Sequence, residues 1–245
     1  MSFSEELRTY TETRTRTSSN YVKFSPDYRV VLRILDPKAK TIWKHWLPMA
    51  NGGKGFGVNC ANVSSQVRPC PVDKMVEGLS DDDSLKGQIK ARRRFVVNVL
   101  DRTPHTVCNS CQTLSPGKTC SSCGTNISKQ KFEPLNQIKI LEGGPELFNK
   151  SLNPIATMYE EDHGVGIDAY DLVFMTQGIG RERKIAVTPL EVKELTEEDF
   201  LDEEGNPQKR FDLELLAEPT TVEEIEAYLG GATIAEVNEL KGVKA

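Results

Sequence analysis

The chain has 245 residues, 38% hydrophobic and 27% charged, and its 31 Lys and Arg against 36 Asp and Glu give a net charge of -5. That is chain enough for one large or two modest domains, each with its own core. No apolar run approaches the ~18 residues of a membrane helix, and residues 1–10 carry charges where a secretory signal is apolar, which excludes a membrane span and argues against secretion.

Charge is uneven along the chain. Residues 190–245 hold 16 acidic against 5 basic side chains, a balance of -11, and the remainder carries +6. A mildly basic body with a strongly acidic C-terminal quarter points to two separate tasks.

In chain order, residues 1–25 are polar and Thr-rich, have no apolar face, and read as a flexible arm. Residues 28–35 alternate, with Tyr28, Val30, Leu32 and Ile34 on one face, and read as a strand ended by Asp36 and Pro37. Residues 41–47 and 55–60 suit two further strands about Asn51, Gly52 and Gly53. A short helix is expected over 72–79, then a break at the acidic run 80–83. The longest strand falls over 91–102, another over 137–141, and a short helix over 145–152. Residues 170–176 and 184–187 read as a hairpin. Beyond Pro189 the pattern turns helical: Thr221 and Glu224 have capping-box spacing, and residues 232–240 suit a second helix. Some six short β-branched strands with Gly-rich turns predict a mainly β fold, an OB-fold-like barrel with helical punctuation.

Four of the six cysteines form Cys108-x2-Cys111-x8-Cys120-x2-Cys123. Two C-x-x-C turns aim four thiolates at one point, the tetrahedral sulfur set that Zn2+ prefers. Leu114 to Lys118 supply turn chemistry between them, and Gly124 can take a left-handed backbone after the second pair. The segment has almost no apolar core, so the metal would supply its folding energy, with no open catalytic position. A second stretch sets out His45-x14-Cys60-x9-Cys70-x2-Asp73. Spacing alone leaves two readings open there: a metal site with one carboxylate ligand, or two buried cysteines beside an unrelated surface histidine.

Cations and aromatics interleave at three places: Trp43, Lys44 and Trp46 with Lys54 and Phe56; Arg92, Arg93, Arg94 and Phe95; and Arg181, Arg183 and Lys184. Cations neutralise phosphates and flat rings stack on unpaired bases, which suits single-stranded nucleic acid without regard to sequence. Against this, aromatic strand residues usually belong to a core. Trp43 and Trp46 also fall on opposite faces of a regular strand.

With Arg33-Ile34-Leu35, Trp43-Lys44-His45-Trp46, Cys70-Pro71-Val72, residues 93–102 and the 171–189 hairpin in one order, the chain resembles the helix-destabilising single-stranded-DNA-binding proteins of tailed bacteriophages, the gene 32 type of the T-even phages. The resemblance covers roughly residues 25–190. It implies a zinc site of one His followed by three Cys, which looks like His45, Cys60, Cys70 and position 73, although Asp73 stands where a third Cys is expected. It also implies an N-terminal arm that joins neighbouring copies on DNA, for which residues 14–19 are a loose match. An acidic C-terminal segment would recruit replication or recombination proteins. The four-cysteine ribbon, about residues 103–131, would then be an insertion in the barrel.

The expected organisation is a flexible arm (1–25), a DNA-binding core (26–190) and an acidic partner-binding segment (191–245). The expected function is non-enzymatic coating of single-stranded DNA in phage replication, recombination and repair, in the cytoplasm of an infected bacterium, with one or two zinc ions. Arg33, Lys44, Arg92, Arg94, Arg181, Arg183 and Lys184 would capture phosphates; Trp43, Trp46, Phe56, Phe95 and Phe174 would supply stacking. The rivals are a zinc-ribbon transcription or RNA-binding factor and a zinc enzyme. The closed four-sulfur set and a total of three histidines weigh against the enzyme.

Overall fold

The computed structural model describes residues 20–24, 29–48, 56–60, 70–115, 117–178, 184–202, 204–230 and 232. Residues 1–19 and 25 of the expected arm, residues 233–240 of the helix expected at 232–240, Lys54, Arg181, Arg183 and the Phe56 side chain lie outside the described residues. Residues 20–24 of that arm are instead tied to the body, Tyr21 bridging Ile140 and Phe24 packing on Phe174. The rest is mainly β, with antiparallel pairings and several helices, in two compact units.

One unit comprises residues 40–95 and the chain from 213 onward. Strand β2 (Lys40–Leu47) pairs antiparallel with β3 (Phe56–Asn59), setting Lys44 against Asn59, His45 against Val58 and Trp46 against Gly57. Helix α1 (Pro71–Gly78) starts at Cys70, with Pro71 pre-set for its first turn. The acidic run after it is more than a break. Asp83 caps α2 (Ser84–Ile89), its carboxylate accepting from the Leu85 N–H at 2.8 Å. The first residues of β4 (Arg92–Asp101) then leave α2 beside β2.

The other unit comprises residues 20–39 and 96–212. Its strand order is β10-β9-β1-β4, with β8 also on β4, where β1 is Arg29–Ile34, β8 Gln137–Gly143, β9 Tyr170–Gln177 and β10 Lys184–Val192. The expected 170–187 hairpin is present as β9 and β10, antiparallel from Lys184 opposite Gln177. No pairing among the described residues closes the strands into a barrel. The ribbon carries its own small sheet, β6-β5-β7, from Pro104–Val107 (β5), Leu114–Ser115 (β6) and Glu133–Pro134 (β7). The short helix expected at 145–152 is a π-helix, Glu146–Leu152, that runs on into α3 (Asn153–His163). Pro154 has no N–H for the regular ladder, and a wider turn just before it absorbs the missing bond.

The acidic quarter divides between the units. Leu195, Phe200 and Phe211 pack on Leu35, Leu100 and Ile138. Asn98 grips the Phe211 backbone from both sides, donating to its carbonyl at 3.1 Å and accepting from its N–H at 2.9 Å. From 213, α4 (Leu213–Ala217) and α5 (Val222–Leu229) belong to the first unit, and Thr221 and Glu224 form the expected capping box. The boundary expected at 190/191 therefore falls inside β10. Isolated apolar residues within the acidic stretch are what bind it to each core.

Candidate metal centres and candidate nucleic-acid interface

The two C-x-x-C turns repeat one backbone design. In the first, the Gln112 N–H donates to the Cys108 carbonyl at 2.8 Å and the Cys108 N–H to Thr113 at 3.0 Å. In the second, Gly124 donates to Cys120 at 3.0 Å and Cys120 to Thr125 at 2.8 Å. Both turns close through a left-handed residue, Gln112 (φ 57°) and Gly124 (φ 71°). Cys108 Sγ lies 3.6 Å from Cys123 Sγ and Cys111 Sγ 3.4 Å from Cys120 Sγ, with all four sulfurs within 4.8 Å of one another. Those gaps are far too long for the ~2.05 Å of a disulfide. They approach the sulfur separation of about 3.8 Å that tetrahedral Zn–S bonds of ~2.3 Å impose.

The electrostatics lean the same way at Cys120 and Cys108 and the opposite way at Cys123. Backbone N–H groups of Cys123 and Ser122 pull the Cys120 thiol down to about 6, and that of Ser110 lowers Cys108 despite burial. Cys123 is raised: contacts with Thr125 favour its thiolate, but the neighbouring thiols and burial outweigh them. Among the described residues, Cys108, Cys120 and Ile127, with Cys111 against them, form the local apolar cluster. A segment so poor in apolar surface fits a metal as its organising centre.

The second donor set is assembled from three elements. His45 comes from β2, Cys60 follows β3, and Cys70 and Asp73 stand at the start of α1. His45 is fully buried, and its Nδ1 lies 2.7 Å from the Ile89 carbonyl. A carbonyl can only accept, so Nδ1 carries the proton and Nε2 presents its lone pair. Nε2 points at Cys70 Sγ (3.5 Å) and Asp73 Oδ1 (3.7 Å), while Asp73 Oδ2 lies 3.5 Å from Cys60 Sγ. The donor atoms all lie within 4.8 Å of one another. Burial works against a charged imidazole, yet the His45 pKa is raised, because hydrogen bonds with Cys70 and Ile89 and the charges of Cys70 and Asp73 outweigh it. One imidazole, two sulfurs and one carboxylate, with the imidazole held by a backbone carbonyl, form a donor set that could hold a metal ion.

Of the expected nucleic-acid residues, the first unit brings together the strongest group. Trp43 and Trp46 are each 40% exposed. Burial on β2 switches from Ile42 to His45 and Leu47, which breaks simple alternation and leaves both indoles outside. Trp46 lies against Gly57: a Cβ there would meet its ring at 3.8 Å and the Lys44 stem at 3.6 Å. On the neighbouring strand Arg92 is exposed and donates to the Gly87 carbonyl at 2.9 Å. Arg93 stacks over Phe95 at 4.7 Å, Arg94 is half-buried, and Lys184 is exposed on β10.

Three assignments are corrected. Arg33 is 1% exposed, bonded through Nε to Asp171 at 2.8 Å and through Nη1 to the Lys193 carbonyl at 2.8 Å, so it holds strands and meets no phosphate. Phe174 is fully buried against Phe24, at 5.6 Å between ring centroids. Phe95 is buried too and supports Arg93 instead of stacking on a base. Sequence reasoning also missed Ile89, whose carbonyl sets the histidine tautomer from 44 residues away, and no local pattern announces that. Among the described residues, no helix is long and apolar enough to cross a membrane. Compared with models of protein families and with curated proteins, the chain matches none.

Proposed function

We propose that the protein is a non-enzymatic single-stranded-DNA-binding protein that coats unwound strands without sequence preference, in the manner of the phage helix-destabilising proteins it resembles. The observation that carries this reading is the pair of half-exposed tryptophans on β2 next to the exposed arginines that open β4. Indole faces stack on any base, each worth ~1–3 kcal/mol, and Arg92, Arg93 and Lys44 neutralise the backbone beside them. On this reading the sheet is the frame of an OB-type barrel. Zinc at the ribbon would organise a segment with little core of its own, zinc at the His45 set would join β2 to the start of α1 within a larger core, and the chemistry it supplies is structural. Neighbouring copies and replication or recombination proteins would be its partners in an infected bacterium.

The test is titration with oligo-dT at several salt concentrations, following tryptophan emission. Quenching with a log–log salt slope is expected, and Arg92→Ala with Arg93→Ala should reduce that slope by about 1.4, at ~0.7 per lost phosphate contact. A complex-free titration at low salt defeats the proposal. The ribbon gives a second reading some support, since it exposes the cross-strand pair Val107 and Leu114. A clear preference for duplex or RNA over oligo-dT would favour a zinc-ribbon transcription or RNA-binding factor.

A further inference from the structure

The His45 donor set also forms part of the core on which the C-terminal helix sits. Ile225 of α5 is fully buried, in one cluster with Leu47, Val58, Cys60, Cys70, Val72 and Ile89. Two members of that cluster, Cys60 and Cys70, are candidate metal donors, and a third, Ile89, orients His45. Tyr228 packs on the same cluster, and α5 packs on α1, the helix that begins at Cys70 and carries Asp73 in its first turn. The approach to α5 is fastened one residue before Cys60. Asn59 Nδ2 donates to the carbonyls of Leu216 (2.9 Å) and Glu218 (2.8 Å), and its backbone N–H donates to Thr220 Oγ1 at 3.0 Å. Within α5 itself, Ile225 is the buried residue.

A helix that docks on side chains fixed by a metal is thermodynamically linked to that metal. Whatever tightens one tightens the other by the same factor. We propose that residues 213–229 form a metal-dependent latch: zinc at His45, Cys60, Cys70 and Asp73 holds the acidic C-terminal segment docked, and its loss releases the segment. Without the ion, the two thiols, the imidazole and the carboxylate are joined only by their own hydrogen bonds, and the surface that receives Ile225 and Tyr228 loosens. The released stretch is rich in carboxylates and would become available as a whole. The latch concerns the metal and the C-terminal segment alone, and it stands or falls apart from nucleic-acid binding.

Linkage runs in both directions, so the test does too. The full zinc-loaded chain is titrated with a chelator, zinc is counted, and backbone hydrogen exchange is read over 213–229, with β2 as the reference for the unit's fold. Cys70→Ser and Cys120→Ser identify which ion leaves. Removing the ion of the His45 site should raise exchange across 213–229 by about tenfold or more while β2 keeps more protection than the released segment. In reverse, Ile225→Asp should surrender that ion at about tenfold lower chelator concentration and leave the ribbon ion in place. The latch is overturned if the ion leaves and 213–229 stays protected, or if Ile225→Asp leaves the chelator curve unchanged. A chain that holds zinc at the ribbon alone, with a count unaffected by Cys70→Ser, overturns it as well.

Discussion

Gln112 does for the first cysteine turn what Gly124 does for the second, at φ 57° against φ 71°, but it carries a side chain where glycine has none. A non-glycine residue in the left-handed region costs on the order of 1 kcal/mol or more. Gln112→Gly should therefore stabilise the ribbon by up to about 1 kcal/mol, and Gly124→Gln should weaken it by a similar amount. Chelator competition for the ribbon's zinc measures both, and opposite or absent shifts would mean the turns are held by the sulfur set alone. At this scale the cysteines were legible because two-residue spacing within a C-x-x-C turn is fixed by covalent geometry. Arg33 and Phe174 were not. Their fates depend on Asp171 and Phe24, partners 138 and 150 positions away along the chain.

Elements in the second unit are tied by a chain of charges. Asp171 on β9 accepts from Arg33 Nε of β1 at 2.8 Å and from Arg102 Nε, just past β4, at 3.0 Å. Arg102 Nη1 continues to Asp199 Oδ1 at 2.6 Å, in the short turn Glu197–Phe200. Burial would raise the Asp199 carboxyl, but the Thr196 backbone N–H and Arg102 together hold it below its ordinary 3.8. A lowered carboxyl stabilises the fold above pH ~3.8, and that contribution is lost as the pH falls through the folded value. Stability should therefore drop on acidification below pH 4, and Asp199→Asn should flatten that limb of a denaturation-against-pH series; an unchanged limb assigns it to other carboxylates. Asp171→Asn is the harsher change, because it strands the buried Arg33, and should cost about 3–5 kcal/mol. The longer strands were readable from alternation and β-branching, whereas the two- to four-residue strands β5, β6 and β7 of the ribbon are too short to show either. Of the helices that escaped, α2 and α3 begin at signals that also mean the opposite, an acidic run that reads as a break and a proline that reads as a stop, and α4 is only five residues long.

At the scale of the molecule, the charge asymmetry that was plain in the sequence does not mark a structural boundary. Net charge reports what faces water, whereas the acidic stretch is anchored by a few apolar residues carried between its carboxylates: Leu195, Phe200 and Phe211 in one unit, Ile225 and Tyr228 in the other. A charge count cannot see so few residues. Removing a detached acidic tail leaves the melting temperature of a protein where it was. Ending this chain after Asp212 instead deletes the Ile225 anchor, strips the Asn59 side chain of both its backbone acceptors, and uncovers Leu47, Val58 and Val72. Losing a buried aliphatic side chain of this size costs about 2–5 kcal/mol, and each abandoned hydrogen bond adds ~1 kcal/mol. The truncated chain should therefore unfold its first unit at a visibly lower temperature, while the second unit, which keeps residues 195–212 and the Asn98 clamp on Phe211, melts as before. Two calorimetric transitions that separate on truncation would show this directly. A single transition that does not move would mean that residues 213–230 contribute nothing to the fold, and that the buried position of Ile225 is incidental.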